Sequence, residues 1–271
     1  MPELPEVETV RRVLRKDLIN LKIVDIKIKY KNIINNDLNY FIDNVKGKTI
    51  IDINRYAKFL IFVLNDGFFI SHLRMEGKYF YLNNDIDNKH IHVIFYLSNG
   101  YKLYYQDVRK FGRMEYKTKD ELYKTEPLSK IGYDPILENG YDLDKIYNEI
   151  HNKRIEIKTT LLDQSIIAGL GNIYVDEVLF KSKINPHKES NKITKEEVNL
   201  LILNTKDILN NAIINKGTTI RSYTSSLGVI GNYQNYLLVH TKTNCPNCNN
   251  KLIVDKIDGR STYYCKLCQK L

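Results

Sequence analysis

The last 27 residues of the chain contain all four of its cysteines, arranged as two Cys-x-x-Cys pairs. Cys245 and Cys248 form the first pair, Cys265 and Cys268 form the second, and 16 residues separate the two pairs. This spacing is typical of zinc ribbons, in which four thiolates hold one Zn²⁺ ion tetrahedrally and leave no position open for catalysis. The sequence therefore predicts one structural zinc, which stabilises a tail too small to have a core of its own.

Pro2 at the other end of the chain offers a different chemistry. Removal of Met1 would expose the secondary amine of Pro2, and Glu3 follows it directly. An α-amino group is roughly 2–3 pKa units less basic than a lysine, so more of it is neutral and nucleophilic near pH 7. Such an amine can attack the C1′ carbon of a nucleotide, displace the base and leave an iminium ion that promotes elimination. An N-terminal Met-Pro-Glu is common, however, and indicates catalysis only with further support.

Composition limits the partners and the setting of the protein. Lysine and arginine outnumber aspartate and glutamate 41 to 32, which gives a net charge of +9 and favours a polyanionic partner. No apolar run approaches the roughly 18 residues that can span a bilayer, and the acidic N-terminus lacks the features of a signal peptide. We therefore expect a cytoplasmic protein with no membrane segment.

Hydrophobic periodicity divides the chain into a strand-rich part and a helical part. Val7, Val10, Leu14 and Leu18 form the apolar stripe of a helix over residues 4–18. Short runs of period two then continue to about residue 118, with turn signals between them, and predict a β-sandwich. The later periodicity predicts helices over residues 141–151, 158–162, 174–181 and 194–215, and then a long loop over 218–234.

Several blocks of sequence, spread over the whole chain, have a specific pattern. They are Met1-Pro-Glu-Leu-Pro-Glu-Val-Glu-Thr-Val10, Arg55-Tyr-Ala-Lys58-Phe, His72-Leu-Arg-Met75-Glu-Gly, Asp107-Val-Arg109-Lys-Phe111-Gly, Gly169-Leu-Gly-Asn172-Ile-Tyr and the four-cysteine tail. Together and in this order they resemble the bacterial formamidopyrimidine-DNA glycosylase family. That family excises 8-oxoguanine and formamidopyrimidines from duplex DNA and then cuts the abasic strand by β,δ-elimination, in base excision repair.

The resemblance implies an α+β multidomain fold. It places a β-sandwich catalytic domain with an N-terminal helix in residues 1–118. A helix-two-turn-helix domain with a lesion-capping loop follows in residues 119–235, and a zinc ribbon in residues 236–271. The implied partner is double-stranded DNA that contains oxidised purines or abasic sites, and we expect a monomer associated with the nucleoid.

The resemblance also implies roles for individual residues. Pro2 corresponds to the Schiff-base nucleophile and Glu3 to the general acid and base, while Lys58 assists base loss and Arg260 promotes the second elimination. Met75, Arg109 and Phe111 correspond to the side chains that fill the gap left by a flipped nucleotide. Further DNA contacts are implied for His72, His90, Lys153, Arg154 and Asn172, and contacts in the lesion pocket for Glu76, Thr218, Ser222 and Tyr223.

Two other functions are compatible with parts of the sequence. An enzyme similar to endonuclease VIII would use the same nucleophile on oxidised pyrimidines, but such enzymes lack the wedge represented here by Arg109 and Phe111. A non-catalytic zinc-ribbon protein that binds damaged DNA would not need Pro2, Glu3 and Lys58 together. His240 replaces the tyrosine that is common in the family, which leaves one phosphate contact in doubt.

Overall fold

The amphipathic segment at the N-terminus forms helix α1, Leu4–Leu18, in a computed structural model that describes residues 1–218 and 231–271. Glu3 is its N-cap residue and forms a capping box with Glu6, while Pro5 lies in the first turn, where a missing N–H removes no helical hydrogen bond. The predicted apolar stripe is buried along its whole length. The sequence therefore predicted both the bounds and the buried face of this helix correctly.

Eight antiparallel strands follow and form two sheets of four strands each. The turn signals in the sequence lie between consecutive strands, where Gly67 and Gly100 have positive φ. The strands are β1 Ile23–Ile28, β2 Ile50–Tyr56, β3 Phe59–Leu64, β4 Phe68–His72, β5 Lys78–Leu82, β6 Ile91–Leu97, β7 Lys102–Gln106 and β8 Arg113–Lys117. One sheet has the strand order β1-β6-β7-β5 and the other has the order β2-β3-β4-β8.

The two sheets face each other across one apolar core, which confirms the predicted β-sandwich. Phe62 stacks on Phe69 with ring centroids 4.1 Å apart, and Phe69 stacks on Phe95 of the opposite sheet at 5.3 Å. Helix α1 and a short helix α2, Leu38–Val45, add side chains to the same core. The sandwich therefore has an apolar core of its own, and its turns and edges can carry functional groups.

The remaining described residues form four α-helices, three short 3-10 helices and a C-terminal hairpin. The chain divides into two compact units, one of residues 1–129 and 216–231, the other of residues 130–215 and 232–271. The predicted boundaries at residues 118 and 235 stay predictions. The elements of the second unit are α3 Leu143–His151, α4 Ile157–Leu161, α5 Asn172–Lys181, α6 Lys195–Ile214, β9 Ile253–Ile257 and β10 Arg260–Tyr264.

Side-chain hydrogen bonds cap α6 and attach the C-terminal tail to the helices of the second unit. Thr194 caps α6 and accepts a hydrogen bond from the backbone N–H of Glu197, so this helix begins within one residue of its predicted start at residue 194. Gln269 connects the tail to the helices, because its side chain accepts from the N–H of Cys265 and donates to the carbonyl of Ile184, both at 2.8 Å. None of the helices in the described part of the chain has the length and apolar character to cross a membrane.

Candidate functional site

Pro2 and Glu3 lie buried directly before the first turn of α1, although Met1 before them is 42% exposed. The side chain of Glu6 organises this turn. One of its oxygens, Oε2, accepts the backbone N–H of Glu3 at 2.9 Å, and Oε1 accepts the N–H and the hydroxyl of Thr218 at 2.7 and 3.1 Å. A single carboxylate thus ties the helix that carries the candidate nucleophile to the residue that precedes segment 219–230.

The two ends of that segment also approach each other within the first unit. A methyl group on Gly231 would lie 2.4 Å from the carbonyl oxygen of Gly217, and one on Gly217 would lie 2.5 Å from Oε1 of Glu6. Gly217 has a φ of +74°, a conformation that favours glycine. The residues on the two sides of segment 219–230 are therefore adjacent in space.

Lys58 lies on the tight turn between β2 and β3 and is only 4% exposed. The residue before it, Ala57, adopts a left-handed conformation with a φ of +50°. Burial, and then the charges of Arg74 and Lys58, lower the pKa of His72 to about 3. The imidazole accepts the backbone N–H of Arg74 at Nδ1, at 2.9 Å, so the ring is neutral and its proton is on Nε2. His72 can therefore donate a hydrogen bond to an anion without carrying a charge.

Asp107 organises the loop that carries Arg109 and Phe111. Its buried carboxylate accepts the N–H of Arg109 at 3.0 Å and that of Gly112 at 2.7 Å. Its backbone is held as well, because its N–H donates to the carbonyl of His90 at 3.0 Å and its carbonyl accepts from Nε2 of His92 at 2.8 Å. The aspartate at the start of the Asp-Val-Arg-Lys-Phe-Gly motif thus holds the backbone of the loop in place.

Tyr105 lies beneath both loops that carry the candidate wedge residues. A methyl group on Gly77, at the end of the turn that carries Met75, would lie 2.4 Å from the Tyr105 hydroxyl oxygen. A methyl group on Gly112 would lie 1.7 Å from the same oxygen. Because Tyr105 is completely buried, its ring has no free space into which it could move away from a side chain at either glycine.

The two loops enclose a surface cavity of about 410 Å³ that combines positive charge with apolar side chains. The guanidinium of Arg109 lies 4.7 Å from the centroid of the Phe111 ring, and Phe111 is 46% exposed. Exposed aromatic rings beside arginine suit a partner with both phosphate groups and stacked bases. The residues that line the cavity are Met1, Arg74, Met75, Arg109, Phe111 and Arg113.

The candidate residues of the second unit lie directly after α3, at the start of α5 and in the β9–β10 hairpin. Asn172 is the first residue of α5, two positions earlier than the predicted start at residue 174, and its Nδ2 donates to the carbonyl of Ser261 at 2.9 Å. Arg260, directly before Ser261, is exposed and pairs with Asp258 at 2.5 Å. Lys153 pairs with Asp163 at 2.5 Å, and Arg154 is exposed.

The four cysteines converge, and all their sulfur atoms lie within 4.8 Å of one another. The Sγ atoms of Cys245 and Cys268 are 3.8 Å apart, and those of Cys248 and Cys265 are 3.6 Å apart. A tetrahedral site with metal–sulfur distances of about 2.3 Å has sulfur–sulfur edges of about 3.8 Å. The cluster therefore fits a metal ion, and four thiolates without an open position fit a structural one.

The comparisons with known proteins agree with this arrangement. The family model of the formamidopyrimidine-DNA glycosylase N-terminal domain matches residues 1–114, and the H2TH domain model of the same family matches residues 131–224. Together they match most of the chain. The chain belongs to the formamidopyrimidine-DNA glycosylase family.

Individual family members support the assignment over the full length. The enzyme of Oceanobacillus iheyensis is 44% identical over 99% of this chain and 98% of its own, and that of Mycoplasma genitalium is 40% identical over 100% and 96%. The Lactococcus lactis Fpg, solved with DNA containing an abasic site, superimposes with a TM-score of 0.92 at 39% identity, and both chains are covered completely. A structure of MutM with DNA containing carbocyclic 8-oxo-G gives the same TM-score at 38% identity.

Within this glycosylase fold, the structure brings some of the predicted residues together. In the first unit Met75, Arg109 and Phe111 line one cavity, while half-buried Glu76 and His90 lie on or beside the same loops. Thr218 is buried against Glu6, whereas Ser222 and Tyr223 lie outside the described residues. Two further residues of the cavity, Arg74 and Arg113, were not predicted from the sequence, although both belong to or border the quoted motifs.

Proposed function

We propose that the protein removes oxidised purines, such as 8-oxoguanine and formamidopyrimidines, from duplex DNA and then cleaves the abasic strand. The observation that carries the proposal is the position of Pro2 in this family member. It lies buried before the first turn of α1, directly followed by Glu3, in a unit that also buries Lys58. An amine, a carboxylic acid and a lysine are the groups that Schiff-base chemistry on a sugar requires.

The first step replaces the bond between the sugar and the base. After removal of Met1, the nitrogen of Pro2 attacks C1′, and the base leaves with the bonding electrons and receives a proton. The sugar ring opens when O4′ is protonated and departs from C1′, which leaves the iminium ion. We assign the proton transfers to Glu3, and the stabilisation of the departing groups to the buried ammonium of Lys58.

Strand cleavage follows from the iminium ion. Loss of a proton from C2′ expels the 3′ phosphate, and a second elimination expels the 5′ phosphate, so that water finally releases the sugar fragment from Pro2. Arg260 is the residue to which we assign a phosphate contact in the second elimination. Its exposure and its weak exposed pairing with Asp258 leave it able to bind a phosphate group instead.

The DNA-binding surface that we propose combines phosphate contacts with a wedge. His72 donates from Nε2 as a neutral group, and His90, Lys153, Arg154 and Asn172 add further contacts in their respective units. Met75, Arg109 and Phe111 replace the flipped nucleotide, and the planar donors of Arg109 suit the orphaned cytosine. Glu76, Thr218, Ser222 and Tyr223 are proposed to contact the flipped base.

The metal that we propose is one Zn²⁺ ion held by Cys245, Cys248, Cys265 and Cys268. Its contribution is to the folding of the tail that carries Arg260, because four thiolates leave no position for substrate. We further propose that the protein acts as a monomer, in the cytoplasm, on the DNA of the nucleoid.

Borohydride trapping tests the reaction and the substrate class together. The substrates are duplexes with a single 8-oxoguanine opposite cytosine or a single oxidised pyrimidine, and mass spectrometry first verifies that Met1 is absent. We expect a covalent adduct on the 8-oxoguanine duplex that maps to residue 2 by peptide mass. The matched control is the same protein with a short N-terminal extension, which converts the Pro2 nitrogen to an amide and should abolish the adduct.

Two results would contradict the proposal. Preferential trapping on the oxidised pyrimidine would favour an activity similar to that of endonuclease VIII. Tight binding to both duplexes without any adduct, in zinc-replete protein free of Met1, would favour a non-catalytic role in binding damaged DNA.

A further inference from the structure

The guanidinium of Arg55 is a buried charge that connects two elements of the candidate active site. Its side chain is 1% exposed and projects from β2, three residues before Lys58. Nε donates to Oε2 of Glu8 at 3.3 Å, and Nη1 donates to the carbonyl oxygen of Ala57 at 2.9 Å. One side chain therefore contacts both the helix that begins at the candidate nucleophile and the turn that carries the candidate lysine.

The contact with Glu8 fixes Arg55 to α1. Burial alone would raise the pKa of Glu8, but the hydrogen bonds and charges of Arg11, with Arg12 and Arg55, outweigh it and hold that pKa below its ordinary value. Arg11 and Arg12 approach the carboxylate to 2.9 and 2.8 Å. Glu8 therefore stays ionised and gives the buried guanidinium a permanent partner, whose loss would leave an uncompensated charge in the interior.

The contact with Ala57 acts on a strained part of the backbone. An alanine with a φ of +50° is unfavourable relative to glycine, and such a residue persists only where its surroundings hold it. The hydrogen bond from Arg55 falls on the carbonyl of the peptide group that joins Ala57 to Lys58. A rotation of that peptide group would redirect the side chain of Lys58, so the bond fixes the direction in which the lysine leaves the turn.

We propose that Arg55 is a positioning residue for the glycosylase reaction, which orients Lys58 relative to the start of α1 by bonding to Glu8 and to the Ala57 carbonyl at once. The inference rests on the proposed function, because it gives Lys58 a part in base loss. Arg55 itself is buried and needs no contact with DNA. Its effect should appear in the rate of excision and not in the affinity for the duplex.

Single-turnover excision of 8-oxoguanine by Arg55→Met tests this role. Displacement of a catalytic group by about 1 Å can cost on the order of 100-fold in rate, so we expect a 10- to 100-fold loss. The dissociation constant for duplex DNA with a tetrahydrofuran abasic analogue should stay within about threefold of wild type. Arg55→Lys keeps a charge beside Glu8 but lacks the second donor of the fork, and should fold like wild type yet lose most of the rate.

Arg12→Met is the matched control. Arg12 also pairs with Glu8, but its side chain is 58% exposed. Within the described part of the chain, its guanidinium makes hydrogen bonds and ion pairs to that carboxylate alone. It should leave the excision rate within about twofold of wild type. A loss equal to that of Arg55→Met would mean that the ionic partners of Glu8 matter and the bond to the turn does not, which would overturn the inference.

A double-mutant cycle with Lys58→Met decides whether Arg55 acts through the lysine. If it does, adding Arg55→Met to Lys58→Met should lower the residual rate by less than about threefold, whereas independent roles give losses that multiply. Rates are expressed per active molecule, counted by borohydride trapping, so that simple unfolding removes molecules without changing the rate. If the losses of the two single variants multiply, or if Arg55→Met leaves the rate per active molecule unchanged, the positioning role is refuted but the proposed function is not. Failure of the wild type to excise would refute the proposed function itself.

Discussion

The imidazole of His72 should remain neutral over the entire pH range in which the protein is folded. It is 8% exposed, its Nδ1 is occupied by the N–H of Arg74, and its pKa is lowered to about 3 by burial and by the charges of Arg74 and Lys58. In the unfolded chain the same group has a pKa of about 6.5. As the pH falls, the unfolded state therefore takes up a proton before the folded state does.

This difference makes stability depend on pH in a defined direction. The contribution of His72 is complete above about pH 6.5 and is lost progressively down to about pH 3, at about 1.4 kcal/mol per pH unit. Between pH 7.5 and 5.0 the free energy of unfolding should fall by about 2 kcal/mol through this group alone. In His72→Asn, the amide oxygen can still accept the N–H of Arg74 but does not titrate. The variant should therefore lose about 2 kcal/mol less than wild type over that interval.

Urea unfolding followed by circular dichroism at the two pH values measures this difference. His151→Asn, at an exposed position on α3, is the control and should leave the wild-type difference unchanged. Proton–carbon correlation spectra of the imidazole Cε1 groups give a direct second test, since the His72 resonance should not shift between pH 8 and 5. A His72 resonance that titrates near pH 6, or equal losses of stability in wild type and His72→Asn, would refute the reasoning.

Three further outcomes follow from the other sites. Chelation of the metal should unfold the C-terminal tail, because structural zinc contributes on the order of 10 kcal/mol to the folding free energy. Circular dichroism and metal release are measured together, and a tail that stays folded after the metal is released would contradict this expectation. Gly112→Ala should destabilise the protein by about 1–3 kcal/mol through its clash with Tyr105, and Tyr105→Phe should recover part of the loss; no recovery in thermal melts would mean that the hydroxyl is not the obstacle. Arg260→Ala should reduce the slope of log binding constant against log salt by about 0.9, and an unchanged slope would argue against a phosphate contact.

The strands and most helices were predictable because their periodicity is local. The runs of period two ended at about residue 118, and the last strand of the sandwich ends at Lys117. Helix α6 lies within one residue of its predicted bounds of 194 and 215. Helix α2 was missed because its eight residues are too few to show a helical period, although Asp37 caps it through the N–H groups of Asn39 and Tyr40. Short elements of this kind depend on the core they cover and not on their own pattern.

The supporting contacts of the site could not be predicted because they depend on tertiary neighbours. The sequence motif identified Arg109 and Phe111, but not that Asp107 holds their loop through two backbone N–H groups. Arg55 occurred within a quoted motif, yet its bond to Ala57 depends on the left-handed turn that only the structure gives. The chemical roles of the residues were thus predicted from the resemblance, whereas the contacts that hold these residues in place are given by the packing in the structure.

The close approach of Gly217 and Gly231 has a consequence for how this protein can diverge. The entropic cost of joining two neighbouring points of a fold grows only with the logarithm of the number of residues between them, so doubling the 12 residues between Thr218 and Gly231 would cost about 0.6 kcal/mol. The bonds at the base, from Thr218 to Glu6, do not depend on how many residues intervene. Changes in the number of residues between Thr218 and Gly231 should therefore leave the hydrogen bonds that anchor Thr218 to α1 in place.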